Sequence, residues 1–315
     1  MSAELADAKS SAADQVHMPV LPDAVLRGWC GRVDGAYIDC TFGRGGHSRA
    51  LLSKLSDRAR LYAIDRDPQA LAAARALAAE DARVTPMDGN FADLLPQFDE
   101  ASCAGILLDL GVSSPQLDQA ERGFSFQADG PLDMRMNPRA GVSAADWLAS
   151  ASEAEIADAL YHYGEEKASR RIARLIVAQR AQAPLLRTLE LADLVASVIP
   201  RRGRTHPATR TFQALRIVVN DELGSLESGL ESALRVLESG GRLAVISFHS
   251  LEDRVVKRFI QARSQAPAVD RRRPPSALEF VPELKALGKY DADQTELALN
   301  PRARSARLRV AERLR

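Results

Sequence analysis

A glycine-rich turn and a carboxylate that follows it are the residues whose types and spacing most clearly predict chemistry. The segment DCTFGRGGH (39–47) lies between a short apolar run and a helical pattern, and it contains Gly43, Gly45 and Gly46. A glycine-rich turn between a strand and a helix lets a nucleotide-like ligand approach the backbone. Asp65 ends the next apolar run, about 20 residues further on, where Rossmann-type sites place the acid that binds ribose hydroxyls. Together these features predict a site for a nucleoside-containing cofactor.

The acids at the predicted strand ends favour a positively charged cofactor. Four aspartates lie at or just after the ends of predicted strands: Asp39, Asp65, Asp88 and Asp109. Open α/β sheets bind ligands at this edge, where a ring of carboxylates repels a pyrophosphate but suits the sulfonium and ammonium groups of S-adenosylmethionine. The glycines are also spaced GxGG, whereas a dinucleotide site usually has GxGxxG. We therefore expect S-adenosylmethionine, and the alternative is a nicotinamide-dependent Rossmann dehydrogenase.

The elements that must position these residues are typical of an α/β fold. Apolar runs that end in or beside an acid predict strands at 36–39, 61–65, 83–87 and 105–110. An alanine-rich helix is predicted after Asp67, which is a favoured N-cap and is followed by proline. This alternation predicts a parallel, Rossmann-like sheet covered by helices.

The middle of the chain has a different pattern and predicts an insertion. The loop-like part that follows the fourth predicted strand is rich in Gly, Pro, Ser, Asp and Met, and helical periodicity follows it from about residue 143 to residue 199. Strand and helix signals then return. We therefore predict a sheet domain in two parts, 1–112 and 211–315, and an inserted, mainly helical domain at 113–210 that recognises the substrate.

The last third of the chain is predicted to complete the sheet. An amphipathic helix is predicted from residue 214 to residue 237, with an interruption near Gly224, and Gly240 and Gly241 are predicted to cap its end. Further elements follow in order: a strand at 242–248, a helix with a capping-box start at 250–253, and a last strand at 306–311.

Composition restricts the class of protein. With 315 residues, of which 46% are hydrophobic, the chain can bury a substantial core. It has no uncharged apolar run of about 18 residues, and acids occupy the N-terminus where a signal peptide carries bases, so we expect a soluble, cytoplasmic protein with no membrane partner. Cys30, Cys40 and Cys103 lack the paired spacing of zinc and redox sites. We expect reduced structural thiols and no metal.

Clustered arginines predict a surface that binds a polyanion. The 42 basic and 42 acidic residues cancel, so net charge alone does not identify a partner. The arginines are concentrated, however, at 201–216, 271–273 and 302–309. Each cluster taken alone is typical of a solvated surface, but arginine pairs bidentately with phosphate, and three clusters in one chain favour a nucleic acid.

Nine longer segments form a distinctive set in the sequence: HMPVL (17–21), YIDCTFGRGGHS (37–48), AIDRDPQAL (63–71), GNFADL (89–94), LLDLGVSSPQLD (107–118), RGFSF (122–126), RTFQALRIVVNDEL (210–223), ISFHSLEDRVVK (246–257) and NPRARSARLR (300–309). In this order they resemble the MraW (RsmH) family, which methylates the N4 amine of a cytosine in small-subunit ribosomal RNA. The resemblance implies a class I S-adenosylmethionine-dependent methyltransferase sheet, with 16S ribosomal RNA, within the small subunit, as the partner. It leaves the oligomeric state open, with a homodimer as one alternative.

The resemblance also implies a set of cofactor-binding residues. Asp65 suits the ribose hydroxyls, Phe91 could stack on adenine, and Asp88 could accept from the adenine amine. Asp109 lies where the methionine ammonium and the target base should meet. The complete implied set is Gly45, Gly46, His47, Asp65, Phe91, Asp109 and Gln116.

Methyl transfer to cytosine needs groups that hold its exocyclic amine. Because the lone pair of this amine is delocalised into the ring, the enzyme must align the amine with the methyl donor and accept its protons. Many amino-methyltransferases use an (Asp/Asn/Ser)-Pro-Pro-(Tyr/Phe) loop for this, but here the corresponding place has DLGVSSPQ (109–116). We expect Asp109 to be catalytic, with His249 and His17 as further candidates. A non-catalytic RNA-binding assembly factor is the remaining alternative, and the intact cofactor motifs argue against it.

Overall fold

One seven-stranded sheet organises the part of the chain that the computed structural model describes, residues 19–200, 206–266 and 280–315. Its strands are β1 (Ala36–Asp39), β2 (Arg60–Asp65), β3 (Val84–Asp88), β4 (Cys103–Asp109), β5 (Leu237–Ser247), β6 (Leu284–Asp291) and β7 (Arg307–Arg313). Their order across the sheet is β3-β2-β1-β4-β5-β7-β6. The first five strands pair in parallel, and β7 runs antiparallel to both of its neighbours. The predicted α/β, Rossmann-like fold is thus confirmed.

The order of the strands places a crevice beside β1. From β1 the chain builds outward through β2 and β3, and it then crosses to β4 on the other side of β1. Connections that leave two neighbouring parallel strands in opposite directions open a crevice at the carboxyl ends of those strands, where α/β proteins bind ligands. Asp39 and Asp109 end the two strands that form this switch point.

Helices cover both faces of the sheet. One face packs in a hydrophobic cluster with Trp29, Leu51 and Leu77, and the other packs with Leu226 and Val256. Because both faces are covered, the central strands are apolar along almost their whole length. The helices are α1 (Pro22–Trp29), α2 (Gly46–Leu52), α3 (Pro68–Glu80), α4 (Phe91–Leu94), α5 (Ser114–Asp118), α6 (Ala144–Ser150), α7 (Glu153–His162), α8 (Ser169–Arg180), α9 (Thr188–Ala196), α10 (Thr209–Asn220), α11 (Glu222–Val236), α12 (Ser250–Ser264) and α13 (Gln294–Leu299), with 3-10 turns at Leu95–Gln97, Ala120–Arg122 and Pro301–Ser305.

A third hydrophobic cluster belongs to the helices α6 to α10 and the loop that precedes them. It extends from Phe124 to Leu215, and its members come from no strand of the sheet. Asn220, the last residue of α10, connects this loop to the helices, because its side chain accepts the N–H of Met136 and donates to the carbonyl of Met134. The loop that leads away from the sheet is therefore held in place by long-range contacts.

Two sequence-based predictions in the last third were wrong. The helix predicted from residue 214 to 237 is two helices, α10 and α11, and the break is at Asp221 rather than near Gly224 because Asp221 adopts a left-handed conformation with φ 45°. Gly240 and Gly241 do not cap α11. They lie within β5, close to a register shift against β4, where Gly240 has φ 80°. The strand β5 therefore begins five residues before the predicted start.

The edge strand β6 has no counterpart among the predictions. Five of its eight residues are exposed and its burial does not alternate, so it lacks the period-two pattern that reveals a half-buried strand. It is defined by antiparallel pairing with β7. The segment is therefore a strand because it lies beside β7 in the sheet, and its own sequence pattern does not predict it.

Three further expectations concern the chain as a whole. Cys30, Cys40 and Cys103 are all unpaired, as predicted. Among the described residues, no helix has the length and apolar character needed to cross a bilayer. Of the predicted arginine clusters, Arg201, Arg202, Arg204 and 271–273 lie outside the described residues, as does His17.

Candidate active site

A cavity opens at the carboxyl edge of the sheet, beside the ends of β1, β2 and β4. It brings together residues from four separate sequence motifs, as expected from a parallel sheet whose strand ends meet at one edge. Gly43 also lines it, whereas Gly45 and Asp88 do not, and Asp88 is exposed. The predicted residues that line the cavity are Gly46, His47, Asp65, Phe91, Asp109 and Gln116.

The glycine-rich turn is held open by two carboxylates. Asp65 accepts the N–H of Gly43 at 2.9 Å, and Asp39 accepts the N–H of Thr41 and the hydroxyl of Ser48. Burial raises the pKa of Asp65 and that of Asp39 to about 6, in each case against the hydrogen bonds they receive. Asp39 and Asp65 therefore both hold the turn, and both also line the cavity.

Gly45 contributes to the site through packing, although it does not line the cavity. Its φ is 75°, and a Cβ atom built on it would lie 2.4 Å from Cζ of Phe42. Only glycine fits such a contact and adopts this conformation without strain. Gly45 lets Phe42 pack beneath the turn and brings Gly46 and His47 to the start of α2.

Asp109 is a carboxyl group in the cavity whose pKa is raised further than those of Asp39 and Asp65. Burial, followed by the charges of Asp39 and Glu252, raises its pKa to about 8. Its Oδ2 lies 3.7 Å from Nε2 of His47, and its buried Oδ1 has no hydrogen-bond partner within the described ranges. A buried carboxylate oxygen that lacks a donor is an acceptor for a ligand that brings one.

Phe91 borders the cavity and is packed against α11. A Cβ atom at Gly229 would lie 2.4 Å from Cε2 of its ring, so α11 holds the ring in one position. Asn90, just before it, caps α4 and donates to Ser225 of α11. Phe91 is 8% exposed and borders the cavity. A fixed aromatic surface of this kind can stack on a heterocyclic base.

Gln116 is part of a buried polar network that sequence reasoning did not find. Its side-chain amide donates to Asp67 at 2.7 Å, and its carbonyl oxygen accepts the N–H of Ser113. Asp67 also receives the guanidinium of Arg122 at 2.8 Å, and the side chains of both residues are less than a tenth exposed. Asp67 was recognised only as the N-cap of α3, which it is. The network fastens the loop after β4 to the start of α3.

His249 lies next to the cavity rather than in its wall. It is the N-cap of α12, and its Nε2 lies 3.2 Å from Oε1 of Glu252, which does line the cavity. The predicted catalytic candidate thus contacts a buried acid that we had interpreted only as part of a capping box. The signal that could have found Glu252 is its position in the sequence, four residues beyond the end of the predicted strand at 242–248.

Arg216 completes this cluster and is not available to RNA. It makes a bidentate ion pair with Glu222 at 2.7 and 2.8 Å, and its guanidinium lies 3.9 Å from Glu252. The expectation that the whole segment 201–216 presents arginines to a polyanion is therefore wrong at Arg216. The ligand atoms of Glu222, His249 and Glu252 lie within 4.8 Å of one another, a spacing that suits a cation, and Arg216 already supplies a positive charge there.

Comparisons with known proteins agree with the sequence motifs. The family model for the MraW methylase family matches residues 14–314. Over 300 residues the chain is 59% identical to ribosomal RNA small subunit methyltransferase H of Xanthomonas oryzae pv. oryzae (strain PXO99A), covering 95% of this chain and 89% of the relative. It is 56% identical over 305 residues to the protein of the same name from Xylella fastidiosa (strain M23), covering 95% and 97%.

A solved structure of a putative rRNA-methylase from Clostridium thermocellum aligns with a TM-score of 0.43 and 11% identity, covering 92% of this chain and 94% of that one. The sequence relatives share most of the chain at well over 50% identity. The resemblance inferred from the nine motifs is thus confirmed: the chain belongs to the MraW methylase family.

Proposed function

We propose that this protein transfers the methyl group of S-adenosylmethionine to the exocyclic N4 amine of a cytosine in 16S ribosomal RNA. The observation that carries the proposal is the cavity where Asp65 and Asp109 meet at the sheet edge, in a chain whose relatives are named ribosomal RNA small subunit methyltransferase H. Its acids suit a cationic cofactor and disfavour a pyrophosphate. We further propose that it acts in the cytoplasm on RNA within the small subunit.

The residues present fit S-adenosylmethionine. Asp65, at the end of β2, is the acceptor for the ribose hydroxyls, and Phe91 is the surface for adenine. Asp109 has a buried oxygen without a donor, which the methionine ammonium can supply. Gly46 and His47 offer the backbone of the first turn of α2, and Gln116 positions the loop that closes the cavity.

When it is bound, the cofactor supplies an electrophilic methyl group on a sulfonium. The task of the protein is to bring the weakly nucleophilic amine in line with that methyl and to take the proton that the amine loses. Asp109 is the group we assign to this proton, because burial gives its carboxylate a higher proton affinity than an exposed aspartate. His47 Nε2 lies 3.7 Å from this carboxylate.

The helical segment is the part we propose to contact RNA. Arg170, Arg171 and Arg174 are exposed on α8, and Arg210 is exposed at the start of α10. Because α10 packs in the helical cluster through Phe212, we propose that the inserted unit continues past residue 210 to the end of α10. A target base must also leave its stack to reach the cavity, at a cost of a few kcal/mol.

Two measurements test the proposal. S-adenosylhomocysteine should raise the melting temperature of the protein, whereas NAD should leave it unchanged. Ribosomal RNA from cells that lack the protein should be missing one N4-methylcytosine, and the purified protein should restore it on free RNA or on assembled subunits. Stabilisation by NAD alone would support the dehydrogenase instead.

The pH dependence of cofactor binding follows from the acidity of Asp109. With a pKa of about 8 this carboxyl is mostly protonated at pH 7, and a bound cation favours its ionised form. Ionisation of Asp109 on binding should therefore release a proton, and this contribution should raise the association constant with pH, by up to roughly tenfold per unit, until it levels off near pH 8. Asp39 and Asp65, with pKa values of about 6, make the rise of the association constant with pH steeper only below pH 6. Titration calorimetry in two buffers of different ionisation enthalpy measures the number of protons released and the association constant.

The control is the variant Asp109→Asn, which has no carboxyl to titrate. The amine of the cofactor titrates equally with both proteins, so the difference between them isolates Asp109. An unchanged slope in the variant would show that another group takes part.

A further inference from the structure

Glu252 is a buried acid that lines the cavity. It lies in the first turn of α12, directly after β5, and is 2% exposed. Together with Phe248 it borders the cavity, beside the strand that ends in Asp109. The charge of Glu252 is one of the causes that raise the pKa of Asp109, after burial and the charge of Asp39.

The surroundings of Glu252 keep its carboxylate ionised. Its Oε2 accepts the N–H of Phe248 at 2.8 Å and that of His249 at 3.2 Å. Its Oε1 lies 3.2 Å from Nε2 of His249 and 3.9 Å from the guanidinium of Arg216. Although burial opposes ionisation, the nearby His249 and the charge of Arg216 lower the pKa of Glu252.

The environments of the two acids thus shift their pKa values in opposite directions. Asp109 gains affinity for a proton, and Glu252 is kept as a permanent acceptor. Pairs of titratable groups whose pKa values are pushed apart commonly divide the roles of proton transfer and charge stabilisation. Glu252 also retains acceptor capacity, because a carboxylate has about four lone-pair sites and the two N–H groups use only part of them.

We propose that Glu252 recognises the exocyclic amine of the target base and is the residue that selects cytosine over uracil. The inference rests on the proposed function. Cytosine presents an N–H donor at the position where uracil presents a carbonyl oxygen. A carboxylate that can only accept binds the first and repels the second. His249 and Arg216 act through Glu252 as positioning residues.

The transfer step then balances with the groups at hand. The bond from N4 to the methyl carbon forms as the bond from carbon to sulfur breaks, and the electron pair of that bond goes to sulfur. The proton that N4 loses passes to the carboxylate of Asp109. Glu252 accepts a hydrogen bond from the second N–H throughout, which directs the lone pair of N4 towards the methyl group.

The decisive variant is Glu252→Gln, which keeps the size and one acceptor oxygen but adds donors. The assay uses full-length protein, tritiated S-adenosylmethionine and assembled small subunits, with an RNA that carries uridine at the target position as competitor. For the unmodified protein the cytosine RNA should bind at least about tenfold more tightly than the uridine RNA. In Glu252→Gln this preference should fall to about twofold, and kcat should fall about 100-fold. The Kd of S-adenosylhomocysteine should not change.

Asp253→Asn is the matched control. This neighbouring acid of the same helical turn is tied to Arg307 and Arg309 and does not border the cavity, so its loss should leave both the preference and kcat unchanged. Glu252→Asp keeps the charge and should keep part of the preference even if it folds less well. Equal loss of preference in the Asp and Gln variants would assign Glu252 to capping alone and overturn the inference.

The inference is also overturned if Glu252→Gln retains a tenfold preference and transfers methyl groups within threefold of the unmodified rate. Failure of the unmodified protein to bind S-adenosylhomocysteine would be a different result, because it would remove the proposed function itself.

Discussion

Replacing Asp109 with Asn should reduce methyl transfer about 1000-fold, measured at saturating cofactor and RNA. The carboxamide keeps the shape of the side chain but cannot take the proton of the target amine, and positioned acids and bases contribute about 10²- to 10⁴-fold. The backbone N–H of Asp109 donates to Thr41 whatever the side chain, so the end of β4 should keep its geometry. The affinity for RNA should change little.

Asp88→Asn is the control for this result. Asp88 ends the strand β3 at the same edge of the sheet, but it is exposed and does not line the cavity. Its replacement should leave the rate within about twofold of the unmodified rate. If Asp109→Asn weakened RNA binding as much as methyl transfer, Asp109 would be structural, and the proton would need another acceptor.

Replacing Arg122 with Met should lower the free energy of unfolding by about 3–5 kcal/mol, the largest loss of stability among the substitutions proposed. The ion pair with Asp67 is buried on both sides, and Arg122 also donates to the carbonyls of Arg135 and Met136. Methionine fills the space but leaves the carboxylate of Asp67 without its counter-charge. The melting temperature should fall by roughly 10 °C for a domain of this size. Thermal unfolding followed by circular dichroism measures it.

The same substitution at Arg135 is the matched control. Arg135 pairs with Asp133 in the same loop, but about a quarter of each of these side chains is exposed. Such a pair contributes less than about 1 kcal/mol, so Arg135→Met should shift the melting temperature by only a few degrees. Equal falls in melting temperature in the two variants would mean that burial does not determine how much the ion pair of Arg122 contributes to stability.

The acids that end the parallel strands could be predicted because a strand end is a local feature. A short apolar run followed by an acid marks the strand and its carboxyl end, and all such ends meet at one edge. The sequence therefore predicts that Asp39, Asp65 and Asp109 lie together, and all three line the cavity. The roles implied for Phe91 and Gln116 came instead from the family resemblance, since an isolated Phe or Gln has no such local pattern.

The partners of the buried polar groups could not be predicted in this way. Asp67 is an N-cap by its sequence, but its contacts to Gln116 and Arg122 span 49 and 55 residues of chain. Glu252 matches a capping box equally well whether it is buried or exposed. Arg216 belongs to an arginine-rich segment, yet it is paired with Glu222. In each case the chemistry depends on which groups the fold brings into contact.

The separation of β4 from β5 along the chain affects how the protein is made. The two strands are neighbours in the sheet, although about 130 residues lie between them. At roughly 5–20 residues per second, the open edge of nascent β4 waits on the order of ten seconds for its partner to leave the ribosome. An apolar strand with free backbone groups is a template for aggregation during that time. The speed of translation through the helical segment therefore determines how long the unfinished sheet is at risk.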